Sequence, residues 1–129
     1  MLKAISPNPE SDAKLPYSHG ILTSGQTRTL YVAGQVGIDA AGVAAPDFEA
    51  QARQAWKNLI AVLAAAGMEV RDLAKITAYL TSPGDYAAYT KLRGEYLGSH
   101  KPASTLVVAA GLARPEWKFE IEAIAVAAA

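Results

Sequence analysis

Two segments of the chain place apolar residues at the spacing of an α-helix. In residues 47–67 the apolar positions recur every three or four residues, at Phe48, Ala52, Ala55, Leu59, Val62 and Ala66. This spacing predicts one apolar stripe along a helix of about five turns. Asp47 is the expected N-cap, and Gly67 is the expected residue just beyond the helix.

The second helix is predicted in the segment PGDYAAYTKLRGEYLG, residues 83–98. Asp85 is its expected N-cap because aspartate accepts hydrogen bonds from the first free amides of a helix. One side of this helix is expected to carry Tyr86, Tyr89, Leu92 or Arg93, and Tyr96. We interpret this side as packing against the rest of the protein.

Alternating or continuous apolar residues predict strands in the remaining segments. These segments are residues 2–6, 19–25, 28–37, 73–82, 103–110 and 117–127. A tight turn at Ser24–Thr27, where Gly25 supplies a positive φ, is expected to join the second and third strands. The stretches PNPESDAKLP and IDAAGVAAPD predict loops, and GLARPE predicts a hairpin loop before the last strand.

The predicted order β-β-β-α-β-α-β-β indicates one α+β domain over residues 1–129, with a sheet and both helices packed on one of its faces. The strands containing TLVVAA and FEIEAIAV are apolar on both sides. Their second face needs cover from water, so we expect the protein to oligomerise through the open face of the sheet.

Composition and charge limit the function classes. Twelve basic residues balance twelve acidic ones, which disfavours a nucleic-acid binder. The chain has no cysteine, so disulfides and thiolate chemistry are excluded. The first residues do not resemble a signal peptide, and no apolar run has the length of a membrane span, so a cytoplasmic protein without membrane contact is expected. The two histidines lack a metal-binding spacing, so no metal site is expected.

A pair of acids in the last predicted strand is the main candidate for chemistry. Alternation places Glu120 and Glu122 on one face and Phe119 and Ile121 on the other. The two glutamates are about 6.6 Å apart along the strand. Either this end of the strand is exposed and both acids are solvated, or one acid faces a cleft and acts on water or a substrate.

Several motifs, in order along nearly the whole chain, resemble the YjgF/RidA family, also called the endoribonuclease L-PSP or translation-initiation-inhibitor family. They are LPYSHGI, YVAGQVG, QARQAWKNLIAVLAAAGM, DLAKITAYLTSPGDYAAYTKL, KPAST and FEIEAIAV. The resemblance implies a chorismate-mutase-like α+β fold and a homotrimer. In this trimer the sheets form a central barrel, the helices lie outside, and three clefts lie between neighbouring subunits.

The resemblance also implies a reaction. In deaminating members water adds to the carbon of a small imine, such as the tautomer of 2-aminoacrylate, and ammonia leaves with a 2-keto acid. An arginine binds the substrate carboxylate, a glutamate positions or polarises the water, a tyrosine walls the cleft, and a serine adds a hydrogen bond. No metal or organic cofactor is used.

Some of these positions match the family and others do not. The motif PYSHG gives Tyr17 the tyrosine role, and FEIEAIAV gives Glu120 the acid role. The serine before GQ is replaced by Ala33, and the arginine of the family's PAR motif is replaced by Ser104. Thr90 occupies a helix position that is often asparagine in the family. Members without the arginine are expected not to deaminate amino-acid-derived imines.

Other residues are weaker candidates for this cleft. Glu122 is expected to be a structural companion of Glu120. His19 follows the tyrosine motif and is a candidate for contact with the ligand. Lys101 is a candidate for the mouth of the cleft, while Arg114 is expected to be a solvated loop residue.

Three function hypotheses follow. The first is an enamine or imine hydrolase, of deaminase type, that acts on a small reactive metabolite other than the usual amino-acid-derived imine. The second is a non-catalytic trimer that binds a small molecule in a regulatory role. The third is the ribonuclease or translation inhibitor that the family's name suggests, which the balanced charge disfavours.

Overall fold

A four-stranded sheet with two long helices on one face forms the centre of the structure, a computed structural model that describes all of residues 1–129. The elements are β1 (Leu2–Ile5), α1 (Pro9–Asp12), β2 (Gly20–Thr23), β3 (Thr27–Val36), α2 (Phe48–Ala65), β4 (Leu73–Leu80), α3 (Tyr86–Leu97), β5 (Ala103–Val108) and β6 (Phe119–Ala128). Short 3₁₀ turns at Val70–Asp72 and Pro83–Asp85 precede β4 and α3. The predicted α+β class with helices on one face is confirmed.

Helix α2 begins and ends where its sequence predicts. The Asp47 carboxylate accepts a hydrogen bond from the Ala50 amide at 2.8 Å, and Gly67 follows the helix with φ +68°. The predicted stripe is buried at Phe48, Ala52, Ala55 and Leu59 and half-buried at Val62 and Ala66. The buried face is wider than predicted because Gln51, Trp56 and Leu63 are also buried.

Helix α3 differs from the prediction in two respects. Asp85 makes no capping hydrogen bond, because it ends a 3₁₀ turn whose own start is capped by Ser82, which accepts from the Gly84 amide at 3.3 Å. Tyr86 was expected to pack, but it is 53% exposed. Tyr89 and Arg93 are buried, and the Arg93 guanidinium lies 5.6 Å from the centre of the Tyr89 ring. This cation–π contact stabilises the guanidinium in its buried position.

The strand order corrects both predicted hairpins. The main sheet has the order β3-β6-β4-β5, and β1 and β2 form a separate two-stranded sheet. The turn at Gly25, with φ +81°, therefore links two sheets rather than two paired strands. The GLARPE loop is not a hairpin loop either, because β4 lies between β5 and β6 and β4 pairs with β5 in parallel. The predicted loop PNPESDAKLP contains the short helix α1, with Pro9 in its first turn.

The two faces of the main sheet differ sharply in burial. Phe119, Ile121, Ala123 and Ala125 of β6 are all buried against the helices. Phe119 packs its ring against both helices, with ring centres 5.9 Å from Phe48 and 5.2 Å from Tyr89. The opposite face has no layer over it within the chain, and Tyr31 on that side is 76% exposed. Oligomerisation through this face remains a prediction.

Candidate active site

The Glu120 side chain lies over a glycine of the neighbouring strand. Strand β6 pairs with β3, and the register shifts between Val32 and Gln35, a bulge that contains Gly34. A Cβ atom added at Gly34 would lie 1.8 Å from the Glu120 carboxylate oxygen Oε2. The carboxylate therefore occupies space that any other residue at position 34 would fill.

Glu122 is engaged within the protein, whereas Glu120 is not. The cross-strand partner of Glu120 is Tyr79, and that of Glu122 is Thr77. The Tyr79 hydroxyl reaches diagonally across the sheet and donates a hydrogen bond to Glu122 Oε1. The Glu120 carboxylate has no hydrogen-bond donor in the chain, so it is the acid of this pair that remains available to a ligand.

A small cavity of about 300 Å³ lies in front of these groups. It is lined by Gly34, Tyr79, Ala109, Gly111, Leu112, Glu120 and Glu122. Burial raises the pKa of Glu120, and the neighbouring Glu122 raises it further. A carboxylate with a raised pKa takes up a proton more readily, which suits a group that accepts a proton from water.

The entry into β6 is held by a buried glutamine of α2. Gln51 is 2% exposed, and its amide nitrogen donates to the carbonyl oxygens of Ala45 and Glu116 at 3.0 Å each. Its amide oxygen accepts from the Lys118 backbone amide at 2.8 Å. These bonds fix the backbone two residues before Glu120, so the helix positions the acid without contacting the cavity.

Tyr17 and His19 lie in a different cavity, of about 440 Å³, near the first strands. Their rings meet edge to face, with centroids 5.6 Å apart. Asp12 accepts a hydrogen bond from the Ser6 hydroxyl and lies 3.5 Å from His19 Nε2. Lys101 also lines this cavity, and its ammonium donates to the Ala13 carbonyl at 2.9 Å.

The remaining predicted residues occupy three separate places. Ala33 is exposed on β3 next to Gly34, but it does not line the Glu120 cavity. Ser104 is half-buried in β5, opposite Ile76, next to the bridge between Ser18 and Ala103. The Thr90 hydroxyl donates to a carbonyl of its own helix at 2.9 Å.

Within one chain Glu120 therefore lines one cavity and Tyr17 and His19 line another, whereas Ala33, Ser104 and Thr90 line neither. Arg114 is exposed in the loop before β6, with its guanidinium 5.9 Å from the centre of the Trp117 ring. Sequence reasoning missed Gly34 and Tyr79. The alternation in β4 placed Tyr79 opposite the buried side, and only the pairing of β4 with β6 shows that it meets the glutamates.

No group of three or more His, Cys, Asp or Glu side chains is arranged to hold a metal ion. No helix in the structure combines the length and the apolar character needed to cross a membrane.

Comparison with known proteins identifies the family. Residues 8–127 match the family model described as Endoribonuclease L-PSP. A RutC family protein of Pyrococcus horikoshii is 37% identical over 112 residues, which cover 85% of this chain and 86% of the relative. The mouse protein named 2-iminobutanoate/2-iminopropanoate deaminase is 35% identical over 126 residues, covering 96% of this chain and 90% of that protein.

Solved structures support the same assignment. A Yersinia pestis protein, described as a member of the conserved Rid family and of unknown function, superposes with a TM-score of 0.83. It is 33% identical, and the match covers 96% of this chain and 97% of that one. The chain belongs to the L-PSP family, the group that also carries the names YjgF and Rid. The family resemblance inferred from the sequence motifs is thus confirmed.

Proposed function

We propose that the protein hydrolyses a small reactive enamine or imine in clefts between the subunits of a homotrimer. Water adds to the imine carbon, the C–N bond breaks, and ammonia leaves with a carbonyl product. The observation that carries the proposal is the free carboxylate of Glu120. It lies over Gly34, lines the cavity and accepts no hydrogen bond from the protein.

Glu120 has the properties of a base for this reaction. Burial raises the pKa of its carboxylate, which increases its affinity for a proton of the attacking water. The same group can return that proton to the nitrogen and then carry the hydroxyl proton of the carbinolamine to the nitrogen as the C–N bond breaks, so the proton balance closes within the site. The names of the mouse and other relatives, 2-iminobutanoate/2-iminopropanoate deaminase, support this reaction class.

The trimer is proposed because the site of one chain is divided. The cavity beside Tyr17 and His19 and the Glu120 cavity have no lining residue in common. The open sheet face exposes Tyr31 and Val107. A neighbouring subunit packed on this face would cover these apolar residues and bring Tyr17 and His19 of one chain to the Glu120 cavity of the next. Sedimentation at several concentrations tests this state, and a Tyr31→Glu variant is expected to dissociate it. The single domain and the cytoplasmic location remain predictions.

The substrate is proposed to differ from the usual amino-acid-derived imine. Ser104 replaces the family's carboxylate-binding arginine, and no lysine or arginine lines the Glu120 cavity. Losing such a charge-assisted contact costs about 1.5–3 kcal/mol of binding free energy. Alanine at position 33 lacks the hydroxyl of the family's serine, and position 104 lacks the family's arginine. Both replacements also favour the second candidate, a non-catalytic trimer that binds a small molecule.

The test is the release of ammonia from freshly generated 2-aminoacrylate and from its methyl ester. The wild-type protein is compared with Glu120→Gln and Ser104→Arg, and with Glu116→Gln, an exposed control in the loop before β6. Glu120→Gln is expected to reduce the acceleration at least about 100-fold, whereas the control retains it. If wild type accelerates neither substrate but Ser104→Arg does, the protein is a binding member of the family whose cleft has been altered.

A further inference from the structure

The Tyr79–Glu122 pair takes no part in the proposed proton transfer, yet both residues line the Glu120 cavity. We propose that Glu122, held by Tyr79, is a specificity-determining residue that disfavours ligands with a carboxylate and favours neutral or cationic imines. This inference rests on the proposed function and names the charge class of its substrate.

The strand register fixes the two carboxylates side by side. Glu120 and Glu122 point to the same face of β6, and both line one cavity of about 300 Å³. Tyr79 is the direct cross-strand neighbour of Glu120 but donates its hydroxyl to Glu122. This hydrogen bond fixes the orientation of the Glu122 carboxylate beside the cavity.

Within the part of the cavity that one chain forms, no positive charge offsets the pair. The bulge of β3 contributes Gly34, and the loop after β5 contributes Ala109, Gly111 and Leu112, none of which titrates. The only titratable groups facing Glu120 are therefore Tyr79 from β4 and Glu122 from β6. Arg114, in the following part of the loop, lies against Trp117 instead.

The two glutamates repel a ligand that is negatively charged and attract one that is positively charged. A ligand carboxylate placed in this cavity meets one or two like charges at short range, where the solvent screens them incompletely. A protonated imine meets an opposite charge, and it is also the form of the imine that water attacks most readily. Glu122 also lies close enough to Glu120 to add to the effect of burial in raising the pKa of that carboxylate.

The test compares two substrates that differ only in the carboxylate. Ammonia release is measured from 2-aminoacrylate and from methyl 2-aminoacrylate, and the ratio of their kcat/KM values is the readout. The wild type is expected to prefer the ester. Glu122→Gln, which keeps the shape and removes the charge, is expected to lower this preference about tenfold at low salt and less at high salt. Tyr79→Phe is expected to shift it in the same direction by a smaller factor.

The pH profile supplies a second readout that a purely structural role would not change. Without the Glu122 charge the pKa of Glu120 falls, so the acid limb of the kcat/KM profile moves to lower pH in Glu122→Gln. Glu116→Gln serves as the matched control and leaves both the ratio and the profile unchanged. An unchanged ester preference in Glu122→Gln, or a wild-type preference for the acid, would overturn the inference.

A binding measurement separates this inference from the proposed hydrolase. If the wild type hydrolyses neither substrate, the hydrolase proposal fails, and methyl pyruvate and pyruvate are titrated while the amide signals of Gly34 and Gly111 are followed by NMR. Tighter binding of the ester, lost in Glu122→Gln, supports charge selection. Equal binding, tighter binding of pyruvate, or no binding of either compound overturns it.

Discussion

The two cavities differ in how their acids are partnered. Asp12, beside Tyr17 and His19, accepts a hydrogen bond from Ser6 and lies 3.5 Å from a histidine nitrogen. Glu120 has neither a donor nor a cation, and its nearest charged neighbour is another carboxylate. An acid with partners stabilises the fold, whereas an acid without partners costs stability, and a protein retains that cost chiefly where function requires it.

The largest effect is expected when the space that the Glu120 carboxylate occupies is filled. In Gly34→Ala the new methyl group would lie 1.8 Å from Glu120 Oε2, so the carboxylate must move out of its position. Since the displaced atoms are the end of a flexible side chain, the fold is expected to survive. Hydrolysis, measured as ammonia release, is expected to fall about 100-fold or more, because a misplaced base loses its alignment with the reacting atoms.

Gly94→Ala is the matched control for that variant. Gly94 lies in α3, far from both cavities in sequence, and nothing lies within 4 Å of a Cβ added there. Alanine in a helix is favoured over glycine by about 0.5–1 kcal/mol, so this variant is expected to be slightly more stable and fully active. Equal activity in Gly34→Ala and wild type would contradict the assignment of the Glu120 cavity as the active site.

Local signals account for the parts of the fold that were predicted correctly. The stripe of α2, its Asp47 cap and the Gly67 terminator depend on neighbours in sequence, and all three were correct. The alternation of β6 likewise placed Phe119 on the buried face and Glu120 on the other. Asp85 was wrong as a cap because an adjacent 3₁₀ turn, started by the Ser82–Pro83 pair, took over the first turn of α3.

Strand order and the partners of the acids depended on contacts between distant residues. Nothing local to β5 indicates that β4 separates it from β6, so a hairpin was the simplest expectation and was wrong. The same missing information concealed Tyr79, which lies 43 positions from Glu122 and bonds to it only because β4 pairs with β6. Glu122 was expected to be a structural companion of Glu120, and it accepts a hydrogen bond from the Tyr79 hydroxyl.

A second experiment tests whether the partnered acid, Asp12, stabilises the fold. Asp12→Asn keeps the size of the side chain but weakens its contacts with Ser6 and His19. Asparagine keeps an acceptor for the Ser6 hydroxyl but removes the charge, so the free energy of unfolding is expected to fall by about 1 kcal/mol. Urea unfolding at pH 7 measures this change. Glu10→Gln, an exposed change on the same short helix, is the control and is expected to be neutral.

The smallest expected effect is that of the free Glu120 carboxylate on the stability of the protein. The folded protein raises the pKa of Glu120 above the ordinary value of 4.5. Below that ordinary value both the folded and the unfolded protein hold the proton, so the folded state incurs no penalty. As the pH rises through the interval between the ordinary and the raised pKa, the unfolded state releases its proton first and stability falls. The full penalty is present once the pH exceeds the raised value.

Glutamine at position 120 cannot ionise, so it avoids this penalty. Glu120→Gln is therefore expected to raise Tm at pH 7 by about 1–3 °C, although it abolishes the proposed activity. The difference in Tm should shrink as the pH is lowered and vanish below the ordinary glutamate pKa, which thermal unfolding between pH 4 and pH 8 measures. A destabilised Glu120→Gln variant at pH 7 would mean that the carboxylate has partners after all, and the contrast between the two cavities would then disappear.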